Sequence, residues 1–496
     1  MNIVSSSLPI TPDRRRWLAL MVVCLAQLMI VLDTTIVNVA LPSIQRDLHF
    51  TQGNLTWVIN AFLVTFGSFL LLAGRLGDLF GRKRVFLSGV TLFTVASALC
   101  GVAPDQGVLI AARFIQGVGA AMQASVILAI IVTEFPAPAD RARAMSAYVF
   151  VAVAGGSLGL LAGGALTQAI NWHWIFFVNL PIGALTAVLG QLLIPRDTGL
   201  LGGRVDWLGS ILVTTSLMTA IYAIVQATSH GWGSSQVLGF GAVAAVLMAA
   251  FLALEARVAN PIMPLRVLRL RGLIGSSVVR GFLVTAMYST FFLGTLYLEH
   301  VRHFSALQTG AAFLPWTMTV GALSLGITAR LVGRFGAMRV LIVGMLIVIV
   351  GLGLLGSTDA HTSFFPTIFL AFFCIGLGIG SAFMPLLSIA MADVPSADAG
   401  LGSGITNVSQ QVAGALGLAV LSTIATNRTH ALEAQHHALS SSLIGGYHLA
   451  FAIGAVCVSV GVLCAMALLR TQRTRAPEII EESAQLAEHE LQHQAA

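Results

Sequence analysis

The run GRLGDLFGRKRV at Gly74–Val85 separates two long apolar stretches, and a diverged copy, ARLVGRFGAMRV, stands at Ala329–Val340. Six of the twelve positions are identical. A second pair keeps nearly the same spacing. Gly117-Val118-Gly119 leads to Glu134-Phe135-Pro136, and Gly376-Leu377-Gly378 leads to Asp393-Val394-Pro395. Offsets of 255 and 259 residues imply two homologous halves with a short insertion between them. Internal repeats of this kind are typical of secondary transporters.

Composition places the repeat in a bilayer. Of the 496 residues, 57% are hydrophobic and only 9% charged, with mean hydropathy +0.89. Soluble domains carry roughly 25% charged residues because their surfaces face water. A soluble enzyme, a transcription factor, a secreted disulfide scaffold and a disordered tail protein are therefore excluded. The net charge of +6 does not indicate nucleic acid, since in a membrane chain the cations are sorted by loop. All five cysteines lie inside apolar runs, which implies no disulfide framework. The polar N-terminus passes through Arg14-Arg15-Arg16 into a long apolar run without a small-residue cleavage site, as expected of a retained first span.

A span needs about 20 apolar residues, and by that ruler fourteen are present, from Trp17–Leu41 to Tyr447–Leu469. With the N-terminus inside, 21 lysines and arginines fall on the cytoplasmic side and three (Arg46, Arg302 and Arg428) on the other. This strong positive-inside bias predicts two cytoplasmic termini. Arg113 and Arg280 remain inside spans. The expected architecture is all-α and polytopic: a six-helix bundle at 1–195, an inserted pair at 196–257, a second six-helix bundle at 258–470 and a polar tail at 471–496.

Several enzyme-like patterns lack the context that their chemistry needs. His489-Glu490-Leu491-Gln492-His493 matches a zinc-hydrolase signature, but it lies in the polar tail without a surrounding pocket. Gly155-Gly156-Ser157-Leu158-Gly159 matches a nucleophile elbow, yet it sits inside a span and not on a strand-turn-helix. Gly351–Gly356 reads G-x-G-x-x-G without a preceding strand. His430, Glu433, His436 and His437 share an outer loop and read as a polar loop, not as metal ligands. The single lysine, Lys83, lies between Arg82 and Arg84, so the chain contains no Gly-Lys-Ser/Thr phosphate loop. No catalytic activity, cofactor or resident metal is expected.

Other patterns suit a transporter. Leu32-Asp33-Thr34-Thr35-Ile36-Val37-Asn38 places a carboxylate inside the first span. Asp33 follows Trp17 by about 24 Å of helix, whereas Arg113 lies about 8 Å below the outer start of the fourth span, so their depths agree. Burying an aspartate in mid-membrane costs roughly 2.5–3.5 kcal/mol, which an Asp33–Arg113 pair would offset. Such a pair is either a static structural link or a site for a proton or cation. Phe62, Phe66 and Phe69 share a face of the second span, where they either line an apolar cavity or pack against helices or lipid. Asn38 and Gln116 complete that candidate cavity. Gly155, Gly159 and Gly163 share a face of the fifth span and permit close helix approach.

With these residues the chain resembles the fourteen-span drug:proton antiporters of the major facilitator superfamily, over nearly its whole length. The Asp33 stretch looks like that family's first-span signature. Gly74, Asp78, Gly81, Arg82, Lys83 and Arg84 match the superfamily's cytoplasmic loop motif, with Leu79 replacing a frequent basic residue. Arg113-Phe114-Ile115-Gln116-Gly117 resembles the fourth-span motif, whose arginine the family implicates in proton handling. Gly155, Gly159, Gly163 and Gly164 resemble the fifth-span motif of exporters, with Leu160 at its proline position. Trp172-His173-Trp174 carries histidine where the family usually has arginine.

The resemblance implies the major-facilitator fold and proton-coupled export of amphipathic or cationic drugs and toxic compounds by alternating access. Asp33 and Arg113 would couple protons, and Asp33 would also attract a substrate cation. The alternatives are an exporter dedicated to one natural product and, less fitting, a membrane-embedded enzyme or a channel. The expected setting is the inner membrane. Small molecules, protons and lipid are the expected partners, without nucleic acid, and a monomer is favoured, with room for a periplasmic accessory protein. The tail from Pro477 onward is expected to be dispensable.

Overall fold

A computed structural model describes residues 12–50, 55, 57–197, 199, 206–258, 261, 263–395 and 398–469. The tail, with His489, Glu490 and His493, lies outside them, as do the side chains of Asn38, Ser157 and Leu160. Fourteen helices are long and apolar enough to cross a bilayer. The first eight are α1 (Pro12–Asp47), α2 (Trp57–Phe80), α3 (Arg82–Gly101), α4 (Gln106–Glu134), α5 (Pro138–Ala169), α6 (Trp174–Leu193), α7 (Trp207–His230) and α8 (Ser235–Glu255). The remainder are α9 (Arg271–Val301), α10 (Gln308–Phe335), α11 (Ala337–Leu355), α12 (Phe364–Ala392), α13 (Ala399–Glu433) and α14 (Leu439–Leu468).

Local chemistry sets several helix starts. Asp105 accepts the backbone N–H of Val108 at 2.9 Å to cap α4. Asp206 caps α7 through Gly209, and Ser234 caps α8 through Val237. Each side chain satisfies a donor that has no partner within its own helix. The repeated loop is opened by glycine in both halves. Gly81, at φ 98°, separates α2 from α3, and Gly336, at φ 84°, separates α10 from α11. An L-residue with a side chain rarely adopts such a φ.

The helices form two six-helix bundles with the α7–α8 pair inserted between them in sequence. In the first bundle α1 packs on α5 and α6, α2 on α4, and α3 on α4 and α6. The second repeats this arrangement: α9 packs on α13 and α14, α10 on α12, and α11 on α12 and α14. Glycines carry the equivalence at atomic level. A Cβ on Gly117 would strike α2 at Phe62 O, and one on Gly376 would strike α10 at Trp316 O. Gly119 faces Gly89 O of α3, just as Gly378 faces Gly344 O of α11. The bundles meet where α13 packs on α2 and α4, and where α5 packs on α10 and α12. Helix α7 leans on both α2 and α13.

Candidate functional site

Asp33 and Arg113 meet inside the first bundle. Arg113 Nη1 donates to Asp33 Oδ2 at 2.5 Å, and the two residues are 1% and 0% exposed. Three further helices complete the site. Gln116, one turn along α4 from Arg113, donates to Asp33 Oδ1 at 2.8 Å and accepts from Arg113 Nη1 at 2.6 Å. Arg113 Nε donates to the Val58 carbonyl of α2 at 2.8 Å. Ser97 of α3 accepts from Gln116 at 3.2 Å and from Asn179 of α6 at 3.1 Å, and it donates to the Phe176 carbonyl at 3.0 Å. Asn179 also reaches Asp33 Oδ1 at 3.4 Å. The guanidinium lies 4.5 Å from the Phe62 ring centre, which covers it.

A buried ion pair is tolerated only when its remaining hydrogen-bonding capacity is met. Here both carboxylate oxygens and three helices' polar groups are committed to one network. Every hydrogen-bond partner of Asp33 in this arrangement belongs to the first bundle.

A second constellation joins the two bundles where α2 ends and α13 begins. Asp78, at the end of α2, accepts the backbone N–H groups of Gly400 and Leu401 at 2.8 Å each, at the N-terminus of α13. A carboxylate is well placed there, against unpaired donors and the positive end of the helix dipole. Arg82 donates to Asp78 at 3.2 Å and to Thr133 of α4 at 2.7 Å. The reverse link also exists. Asp398, just before α13, pairs with Arg75 of α2 at 3.5 Å and with Arg266 at 2.9 Å. A Cβ on Gly74 would come within 2.4 Å of Gly400 O, so the bundles touch backbone to backbone.

The basic run divides its labour. Lys83 is buried and donates to the Gln191 and Ile194 carbonyls at the end of α6, at 2.6 and 2.7 Å. Asp197 then caps α3 by accepting the Arg82 N–H at 2.7 Å. Arg84 is exposed and takes no part in the closure.

The remaining sequence-derived candidates separate. Gly155, Gly159 and Gly163 face α1, where added Cβ atoms would fall 3.0 Å from Val31, 1.8 Å from Thr35 and 3.0 Å from Ile36. Gly164 points into open space, one residue and therefore about 100° around the helix. Phe62 and Phe66 stack at 5.6 Å in the buried core, and the Phe62 ring covers the Arg113 guanidinium. Gln116 is likewise spent on the ion pair. His173 bonds the Gly101 carbonyl at 2.9 Å, and neighbouring Trp172 donates to Asp47 at 2.8 Å, tying the outer ends of α1, α3 and α6. Ser97 and Asn179 escaped sequence reading. Their only signal was a lone polar side chain in an apolar run.

Comparison with known proteins agrees with this geometry. The family model described as Major Facilitator Superfamily matches residues 23–418. Puromycin resistance protein pur8 of Streptomyces alboniger is 40% identical over 467 residues, covering 92% of this chain and 91% of its own length. Multidrug resistance protein Stp of Mycobacterium tuberculosis is 33% identical over 412 residues, covering 83% and 76%. Among solved structures, the human organic anion transporter MFSD10 superposes with a TM-score of 0.65 at 16% identity, covering 91% of this chain and 99% of that one.

Proposed function

Because the chain belongs to the Major Facilitator Superfamily, we propose that it exports amphipathic small molecules, drugs and antibiotics among them, by proton-coupled alternating access. It works in the cytoplasmic membrane as a monomer with both termini inside. Residues 1–195 and 258–470 are the two moving bundles, and 196–257 is the inserted pair. The observation that carries the reading is the buried Asp33–Arg113–Gln116 network, a carboxylate held at membrane depth by donors from α4 and α6, with α2 and α3 supplying acceptors to those donors.

The proposed cycle follows from charge. Protonation of Asp33 removes the anion that Arg113 pairs with and loosens α1 against α4. Loss of the proton restores the pair. Breaking a buried pair by removing one charge typically costs about 3–5 kcal/mol, enough to bias two bundle arrangements. The membrane potential supplies about 2.3 kcal/mol per charge per 100 mV for the uphill step. The Asp78 and Asp398 links must open whenever the cytoplasmic ends part, so they act as a latch and not as a substrate site.

A relative named for one antibiotic and another named for multidrug resistance leave breadth of substrate to a direct screen. The test is accumulation of a panel of drugs in an efflux-deficient host, with and without a protonophore. Reduced accumulation that the protonophore abolishes supports the proposal. Extrusion that persists without a proton gradient overturns the coupling.

A further inference from the structure

Arg280 is the one embedded cation that the Asp33 network leaves unused. It lies in α9 at 3% exposure, within electrostatic reach of the phenols of Tyr148 and Tyr288. Tyr148 belongs to α5 of the first bundle, so Arg280 stands at the seam between the halves. One guanidinium nitrogen, Nη2, donates to Gln410 of α13. Nε and Nη1 are buried with no protein hydrogen-bond partner. Among the described residues no carboxylate pairs with it. The Phe383 ring lies 5.5 Å away and offers only its π face. The surroundings are neutral hydrogen-bonding groups: Tyr148 with Gln27 at 3.4 Å, and Tyr288 with Gln410 at 3.4 Å and Gln411 at 3.5 Å.

An unpaired buried guanidinium is costly, and its planar donors match a carboxylate or other oxyanion. Asp33, the embedded carboxylate of α1, is already paired inside the first bundle. We propose that Arg280 anchors the transported molecule at the bundle seam and selects substrates bearing an acidic oxygen, such as a carboxylate or an ionised phenol or enol. The unbonded donors of the guanidinium offer it a hydrogen bond on either edge, and Tyr148 and Tyr288 flank the site from opposite bundles. Substrate charge and proton are thereby read by different residues. This inference rests on the export reading for its transport step, but not for its binding step.

The test uses the full chain in lipid nanodiscs and two dyes of one xanthene scaffold, anionic fluorescein and cationic rhodamine 123. Wild type should bind fluorescein the more tightly and gain more thermal protection from it. Arg280→Gln should weaken fluorescein by roughly 10- to 100-fold, the range of a charged hydrogen-bonded contact, while leaving rhodamine 123 within a few-fold. Arg280→Lys should retain the anion preference. Arg280→Glu should reverse it. Equal loss of both dyes together with a lowered Tm in Arg280→Gln assigns Arg280 to packing and overturns the proposal. So does a wild-type preference for rhodamine 123, which needs no variant to observe. Extrusion of either dye from energised cells scores export separately. Anion-selective binding without extrusion sinks the export reading alone, and extrusion with selectivity indifferent to Arg280 sinks this one alone.

Discussion

The proposed proton coupling turns on Asp33. Asp33→Asn keeps the shape and a donor-acceptor pair but removes the titratable charge. We expect protonophore-sensitive efflux to vanish while the protein still reaches the membrane, as read by dye extrusion beside a membrane-fraction immunoblot. Unchanged uphill efflux in that variant would move coupling elsewhere. Arg113→Gln is the sharper stability probe, because it strands a buried carboxylate. A loss of about 3–5 kcal/mol is typical of such stranding, and it should be seen as a markedly lower Tm in detergent. The double variant Asp33→Asn/Arg113→Gln should recover much of that loss, since neither charge then remains unpaired. A double-variant loss equal to the sum of the two single-variant losses would show that the pair contributes no coupling energy.

At the scale of the element, contact between α1 and α5 depends on missing side chains. Gly159→Leu would drive atoms into Thr35, whose Oγ1 already lies 1.8 Å from an ideal Cβ. Overpacking of this kind costs about 1–3 kcal/mol. Transport should fail with the protein still inserted, and Gly164→Leu, which faces open space, should leave both transport and Tm unchanged. Inactivity of the Gly164 variant alongside an active Gly159 variant would reverse the face. The two loop glycines form a second comparison. Gly81→Ala meets both an unfavourable φ and Asp197 O at 2.8 Å, whereas Gly336→Ala meets the unfavourable φ alone. The first substitution should lower Tm more than the second.

For the whole molecule, the proposed latch at Asp78 and Asp398 would set how often the bundles part at that end. Asp78 and Asp398 bind across the seam in opposite directions, and neither lies near Arg280 or Asp33 in sequence or helix depth. Asp78→Asn weakens two charge-assisted bonds to the start of α13. Efflux of every substrate should fall by a similar factor, read as initial extrusion rates across a panel. A variant that loses one compound and keeps the others at full rate would place Asp78 in substrate choice. In the second copy of the repeat the position matching Asp78 is Gly333, which carries no carboxylate. The latch is thus built from one copy of the repeat only.

The sequence alone determined the solvent, the number of spans and their repetition. These depend on composition and periodicity, which a bilayer reads along the chain without reference to partners. It also paired Asp33 with Arg113, because helix rise converts residue counts into depth and two opposite charges at one depth have few alternatives. The loop glycines were legible for a similar reason: Gly81 and Gly336 recur at equivalent places, and φ is a local property. What only tertiary structure decided is which face of each helix meets which neighbour. An apolar span shows weak amphipathicity when lipid and protein interior are equally apolar, so Phe62 and Phe66 could be read as cavity wall or as packing against helices or lipid. Ser97 and Asn179 were hidden because a single polar residue in an apolar run carries no directional signal. Arg280 was visible as a charge, but its unfilled donors at the bundle seam depend on four helices converging, and no local pattern encodes that convergence.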